Sequence, residues 1–155
     1  MPVTLVVVAI GALGLAMVFW IKREKELRSL EQHSTTPEAL RSAMITNADL
    51  LVFDVRQPLD LLAYPEIISG AKRISPDEIL RSPTLIPKEK DSVVYCTCPS
   101  DKTSRAVLRR ALSLNFSRIK FLRGGLAAWK ALDYPVEEYQ ETFHLYTPPP
   151  PLPVR

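Results

Sequence analysis

The chain has 155 residues, 46% hydrophobic and 24% charged, which suits one globular domain with accessory segments. Its net charge of +3 is small, and no basic stripe carries interleaved aromatics, which argues against nucleic acid as a partner. The two cysteines lie in one pair, Cys96-x-Cys98, which makes no disulfide framework and suits a reducing compartment.

Val3–Ile21 is nineteen residues without a charge. As a helix it spans about 28 Å, close to the ~30 Å hydrocarbon core of a bilayer, with Trp20 at the boundary where interfacial aromatics belong. No Lys or Arg precedes it and no small-residue cleavage site ends it, so a signal peptide fits less well. A core helix fits poorly too, because the run is apolar on every face. The expectation is one transmembrane helix, and Lys22, Arg23, Lys25 and Arg28 just beyond it place the remainder in the cytoplasm. Lys22–Gln32 is expected to continue as a short polar stalk, so residues 1–33 form anchor and stalk.

Thr36 is a good N-cap with Pro37 at the first helical position, predicting a helix over Pro37–Ile45. Leu50–Val55 is a near-continuous apolar run ending at Asp54 and Arg56, the pattern of a strand buried on both faces. Ala71–Ile74 is a candidate short strand, and Ser75-Pro-Asp-Glu78 is a capping box that opens a brief helix to Arg81. Ser92–Tyr95 is the second strong strand and runs into Cys96. A helix over Thr103–Leu114 follows, with Val107, Leu108, Ala111 and Leu112 on one face and Asn115 as a left-handed C-cap. Arg118–Phe121 is a third strand, and Leu122–Gly125 turns into a helix over Leu126–Leu132 that carries Trp129 in the core. Alternating strands and helices predict an α/β fold with a parallel sheet flanked by helices over residues 34–139, preceded by the one transmembrane helix. Residues 140–155, ending in a proline run, are expected to be a disordered tail rather than a ligand for a proline-binding module.

The chemistry centres on Cys96. A strand that delivers a cysteine to a loop at a helix N-terminus exposes the thiol to the unpaired N–H groups of the first helical turn, which favour a thiolate and a bound anion. Thr97, Ser100, Lys102, Thr103 and Ser104 are the candidate anion-loop residues, with Thr103 and Ser104 also able to cap the helix. Cys98 either resolves an oxidised or persulfidated Cys96 or merely fills the loop. No metal or other cofactor is called for, since His33 and His144 lie in flanking segments.

Four pieces in this order resemble a single rhodanese-like (sulfurtransferase-type) domain: Asp54-Val-Arg56; Ser69-Gly-Ala71 with Ile74-Ser75-Pro76; the cysteine after Val93-Val-Tyr95; and Leu122-Arg-Gly-Gly125 with Trp129 and Tyr134-Pro-Val136. The Cys-x-Cys-Pro loop with Arg56-Gln-Pro-Leu-Asp60 is similar to the rhodanese domains fused to DedA-type membrane proteins. The resemblance implies that Cys96 accepts a sulfane sulfur as a persulfide and passes it on, the donor being a small sulfur compound or a protein persulfide and the acceptor unspecified. It also implies that Asp54 and Arg56 are a supporting pair, for which a purely structural role at a strand end is the plainer reading, and that Gly124 and Gly125 let a second loop approach the cysteine. The loop departs from the thiosulfate-active pattern: it counts seven residues from Cys96 to Lys102, contains Pro99, which has no N–H, and carries Asp101. Seven is also the length used by the phosphatase branch of the fold, but that branch uses arginine, and lysine suits phosphate less well. Beside the sulfurtransferase stand two other expectations, a non-catalytic interaction module at the membrane and a thiol redox protein using Cys96 and Cys98.

Overall fold

The computed structural model describes residues 2–97 and 102–139, with side chains from residue 11 onward except at position 83. Helix α1 (Pro2–Gln32) comes first, followed by strand β1 (Ser34–Thr35), α2 (Pro37–Thr46), β2 (Leu51–Asp54), α3 (Pro58–Ala63), β3 (Glu66–Ile68), β4 (Lys72–Arg73) and α4 (Pro76–Arg81). Next come β5 (Ser92–Tyr95), α5 (Lys102–Ser113), β6 (Ile119–Leu122), α6 (Gly125–Lys130) and β7 (Val136–Glu138). Five strands form a sheet in the order β1-β6-β5-β2-β4 with parallel pairings throughout, and β3 and β7 form a separate antiparallel pair.

Local signals explain the element starts. Thr36 Oγ1 accepts from Ala39 N at 3.3 Å with Pro37 just inside α2, and Ser75 and Glu78 make both halves of a capping box. Asn115 takes the left-handed conformation expected of it, φ 61°. Alternation along the central strands builds two apolar layers. Phe53 and Val94 face Leu30, Ile79, Val107 and Leu108, whereas Val52, Val93 and Tyr95 face Leu40, Leu126 and Trp129. This is the expected α/β fold with a parallel sheet flanked by helices.

Several elements differ from expectation. The strand expected over Ala71–Ile74 is only Lys72–Arg73, and β1, β3 and β7 are too short to have shown a pattern. Helix α5 opens at Lys102, so Thr103 and Ser104 lie inside its first turn rather than at a cap. Among the described residues no helix is long and apolar enough to cross a membrane. Val3–Ile21 is helical, as expected, within α1, but the structure does not show it crossing a membrane. Within that stretch Leu13, Leu15, Met17, Val18, Phe19 and Trp20 are all exposed.

The expected stalk is docked on the domain. Leu30 is buried in the layer that contains Val107 and Phe121, Glu26 pairs with Arg109 of α5 at 2.5 Å, and Glu31 pairs with Arg123 at 3.5 Å. Removing a buried leucine side chain costs about 2–5 kcal/mol. Leu30→Ala is therefore expected to lower the unfolding free energy of the domain by an amount in that range, read as a lower denaturant midpoint. A midpoint equal to wild type would show that α1 does not contribute to the core.

Candidate active site

Sheet register brings the candidate residues to one end. Asp54 is opposite Tyr95, and Val94 is opposite Phe121, so Cys96 and Arg123 each lie two residues past a paired position at the carboxyl ends of their strands. Sites in parallel sheets form in this position, where loops and helix N-termini converge. Cys96 is fully buried. Its carbonyl accepts a hydrogen bond from Leu126 N at 3.0 Å, which ties the cysteine backbone to the start of α6.

That approach depends on glycine. A Cβ at Gly125 would lie 1.9 Å from the Cys96 carbonyl oxygen, and Gly125 has φ +54°. Gly124 is also left-handed, φ +71°, and a Cβ there would meet the Ala128 Cβ at 2.6 Å. Trp129 holds α6 in place: it is fully buried, donates from Nε1 to Pro135 O at 2.9 Å and meets Tyr134 edge-on at 4.9 Å between ring centres.

Asp54 and Arg56 form a fully buried ion pair, Nη2 to Oδ2 at 2.6 Å. Arg56 also donates from Nε to both carboxylate oxygens, from Nη1 to Tyr64 O and from Nη2 to Glu66 O, the last two at 2.8 Å. The Asp54 carboxylate takes a further bond from Arg56 N at 3.0 Å and one from the Tyr95 hydroxyl at 3.2 Å. The Tyr95 oxygen in turn accepts from Ile68 N at 3.0 Å. Burial, reinforced by the Asp54 charge, pushes the Tyr95 phenol far above its ordinary value. Tyr95 was not singled out by the sequence. Its one signal is a polar-tipped aromatic closing an otherwise aliphatic strand.

Of the anion-loop candidates, Thr97 is half-buried beside Cys96, Lys102 is exposed at the first position of α5, and Thr103 is half-buried. Ser104 is fully buried, and its hydroxyl has no hydrogen-bond partner among the described residues. Cys98 and Ser100, with Pro99 and Asp101, lie outside the described residues. Next to Thr97 is a pocket of about 350 Å³ lined also by Tyr64, Leu126, Ala127 and Lys130, a grouping that no local sequence pattern signals because it joins three distant segments. Lys130 Nζ pairs with Glu66 at its rim. No group of three or more potential metal ligands occurs among the described residues.

Residues 36–132 match the family model described as the rhodanese-like domain. The chain belongs to this family. The rhodanese-like chain is 27% identical over 101 residues to a protein named sulfurtransferase from Allochromatium vinosum, covering 64% of this chain and 89% of that protein. A crystal structure of a protein from Anabaena sp. is 27% identical, with a TM-score of 0.58 over 68% of this chain and 83% of that one. A rhodanese-related protein from Thermoplasma volcanium, 24% identical with a TM-score of 0.56, covers 68% of this chain and 97% of its own and shows the shared fold. These relatives show the rhodanese-like family and not the finer likeness to DedA-type fusions.

Two outcomes follow from the geometry. The left-handed conformation alone costs an alanine about 1–2 kcal/mol, and the overlap with the Cys96 carbonyl adds to it. Gly125→Ala is therefore expected to lower the melting temperature by more than about 5 °C, and a melting curve equal to wild type would contradict the close approach. For Tyr95, the folded state keeps the phenol protonated after the unfolded chain begins to ionise near pH 10. Stability from this group is then fully present below pH ~10 and is lost as pH rises beyond it. Tyr95→Phe should cost about 1–3 kcal/mol at neutral pH by leaving Ile68 N and Asp54 short of a partner. It should also remove part of the alkaline loss seen in urea titrations above pH ~10.

Proposed function

We propose that this rhodanese-like protein is a sulfurtransferase that carries sulfane sulfur on Cys96. The observation that carries the reading is the position of Cys96: fully buried at the carboxyl end of β5, in a loop leading to α5, with its carbonyl fixed by Leu126 N. In the forward step the Cys96 thiolate attacks the outer sulfur of thiosulfate or of a small persulfide. A new S–S bond forms to Cys96, the donor's S–S bond breaks, and sulfite or the donor thiolate leaves with the electron pair. Helix-terminal N–H groups lower the cost of the thiolate and of the persulfide anion, and the buried Ser104 hydroxyl is a further donor at the same helix end. Leaving that hydroxyl unsatisfied costs about 1–3 kcal/mol, which a bound anion would recover. An acceptor thiolate then removes the terminal sulfur. Lys102, Thr97, Ser100 and Thr103 belong to the same anion loop, Cys98 is an auxiliary thiol, and Asp54, Arg56, Gly124 and Gly125 support it. The family resemblance and the A. vinosum sulfurtransferase support this chemistry.

The reading includes attachment to a membrane. Val3–Ile21 serves as a single-pass anchor, supported by its nineteen uncharged residues and the basic cluster Lys22, Arg23, Lys25 and Arg28 that follows. Residues 34–139 then face the cytoplasm as the catalytic domain, an arrangement with its counterpart in rhodanese domains fused to DedA-type membrane proteins; the expected tail, residues 140–155, lies outside the described residues.

The test uses the full chain in detergent, because Leu30 belongs to the core and truncation at residue 33 would remove it. After incubation with thiosulfate or a small persulfide, intact-mass measurement should find one added sulfur on wild type and on Cys98→Ser, and none on Cys96→Ser. Wild type without added sulfur, beside a control rhodanese that gains it, would overturn the proposal. So would a Cys96→Ser chain that still gains it.

A further inference from the structure

The direction in which α1 docks fixes where Cys96 stands relative to the apolar run. Glu26 of α1 pairs with Arg109 in the second half of α5, and Glu31, five residues later, pairs with Arg123 just past the carboxyl end of β6. Helix α1 therefore runs toward the cysteine end of the sheet, antiparallel to α5, which runs away from it. Backbone bonds agree: Phe121 N donates to His33 O and Arg123 N to Thr35 O, each at 2.9 Å, so the chain leaving α1 joins the sheet at its cysteine end. Traced backwards, α1 descends past the domain, and its apolar part projects from the opposite end.

Two independent lengths give the height. Ten residues of helix separate Ile21 from Glu31, about 15 Å. Along the sheet, Arg118 and Arg123 bracket β6 five residues apart, about 17 Å. His33 O meets Phe121 N, so Glu31, two residues earlier on α1, stands no nearer the cysteine end than β6 does, and Cys96, level with Arg123 in the register, is at least about 15 Å beyond the end of the apolar run. The loop Asn115–Arg118, at the amino end of β6, is about 17 Å nearer that boundary than Cys96. A tilt of about 20° would change the height little.

We propose that the domain stands on the bilayer with the loop Asn115–Arg118 toward the lipid headgroups and the Cys96 end directed into the aqueous phase, so that Cys96 exchanges sulfur with water-soluble donors and acceptors rather than with a lipid-embedded thiol. This rests on the anchor reading above. The bilayer is the occupant because the exposed apolar side chains of α1 point all round the helix, which no single groove covers, and four basic residues follow them. The domain is held upright by contacts on one continuous helix, so its orientation does not depend on a flexible linker.

The test uses the unmodified, isotope-labelled full chain in lipid nanodiscs of phosphatidylcholine and phosphatidylglycerol, a fraction of the lipids carrying a gadolinium chelate on the headgroup. Paramagnetic relaxation falls steeply with distance, so amides of Asn115, Phe116 and Ser117 should relax many-fold faster than those of Arg123, Gly124 and Ala127. Equal relaxation of the two sets, or the reverse order, in a chain that copurifies with the discs overturns the orientation and leaves the anchor standing. A chain that does not copurify with the discs overturns the anchor, and the orientation with it.

Discussion

The carboxyl end of the sheet is organised around one buried carboxylate. Asp54 closes β2, and its two oxygens take hydrogen bonds from Arg56 and from the hydroxyl of Tyr95 at the end of β5. Arg56 passes the constraint outward to the carbonyls of Tyr64 and Glu66, while Tyr95 passes it to Ile68 N on β3. Three segments far apart in sequence thus share a single ionic centre. Its value is specificity more than net stability. A buried pair about breaks even against apolar replacements, whereas loss of one partner strands a charge at a cost of about 3–5 kcal/mol. The network therefore permits one arrangement of these segments and penalises the others, and the residue after Tyr95 is Cys96.

A second constraint works from the opposite side. Leu122–Gly125 crosses so close to the cysteine that only glycine fits at position 125, and Trp129 anchors the helix behind it. The backbone at Cys96 is consequently held from β2 through Tyr95 and from α6 through Leu126 N. On the proposed sulfur-transfer reading, a backbone fixed in this way reduces the rearrangement needed for Cys96 to meet a donor sulfur.

The sheet strands β2, β5 and β6, with the helices between them, were legible because burial on both faces produces apolar runs and burial on one face produces a helical stripe. The capping box at Ser75 and the left-handed Asn115 were legible because each depends on local backbone chemistry. Tyr95 was not, because its role is defined by partners 41 and 27 residues away and by no spacing near it. Leu30 was hidden for a similar reason. Leu27 and Leu30 among Lys22–Gln32 are too few to make a stripe, and only the position of α5 buries Leu30 in the core while Leu27 stays exposed. The two-residue strand β1 carries no period at all, and its register is set by His33 and Thr35 carbonyls meeting β6.

Leu30 also decides how firmly the N-terminal helix is attached. The ion pairs Glu26–Arg109 and Glu31–Arg123 are half-exposed, and such pairs are worth about 0–1 kcal/mol each. Full burial of a leucine is worth about 1.5–3 kcal/mol, so the apolar contact supplies more of the adhesion than the charges do. Reversing α1 on α5 would separate both pairs and would also draw His33 and Thr35 away from β6, so the direction is fixed by the connection into β1 and the charges agree with it. Helix α1 then packs on α5, the helix that begins directly after the cysteine loop. The packing of Leu30 that fixes α1 on the domain therefore also bears on the helix that follows the cysteine loop.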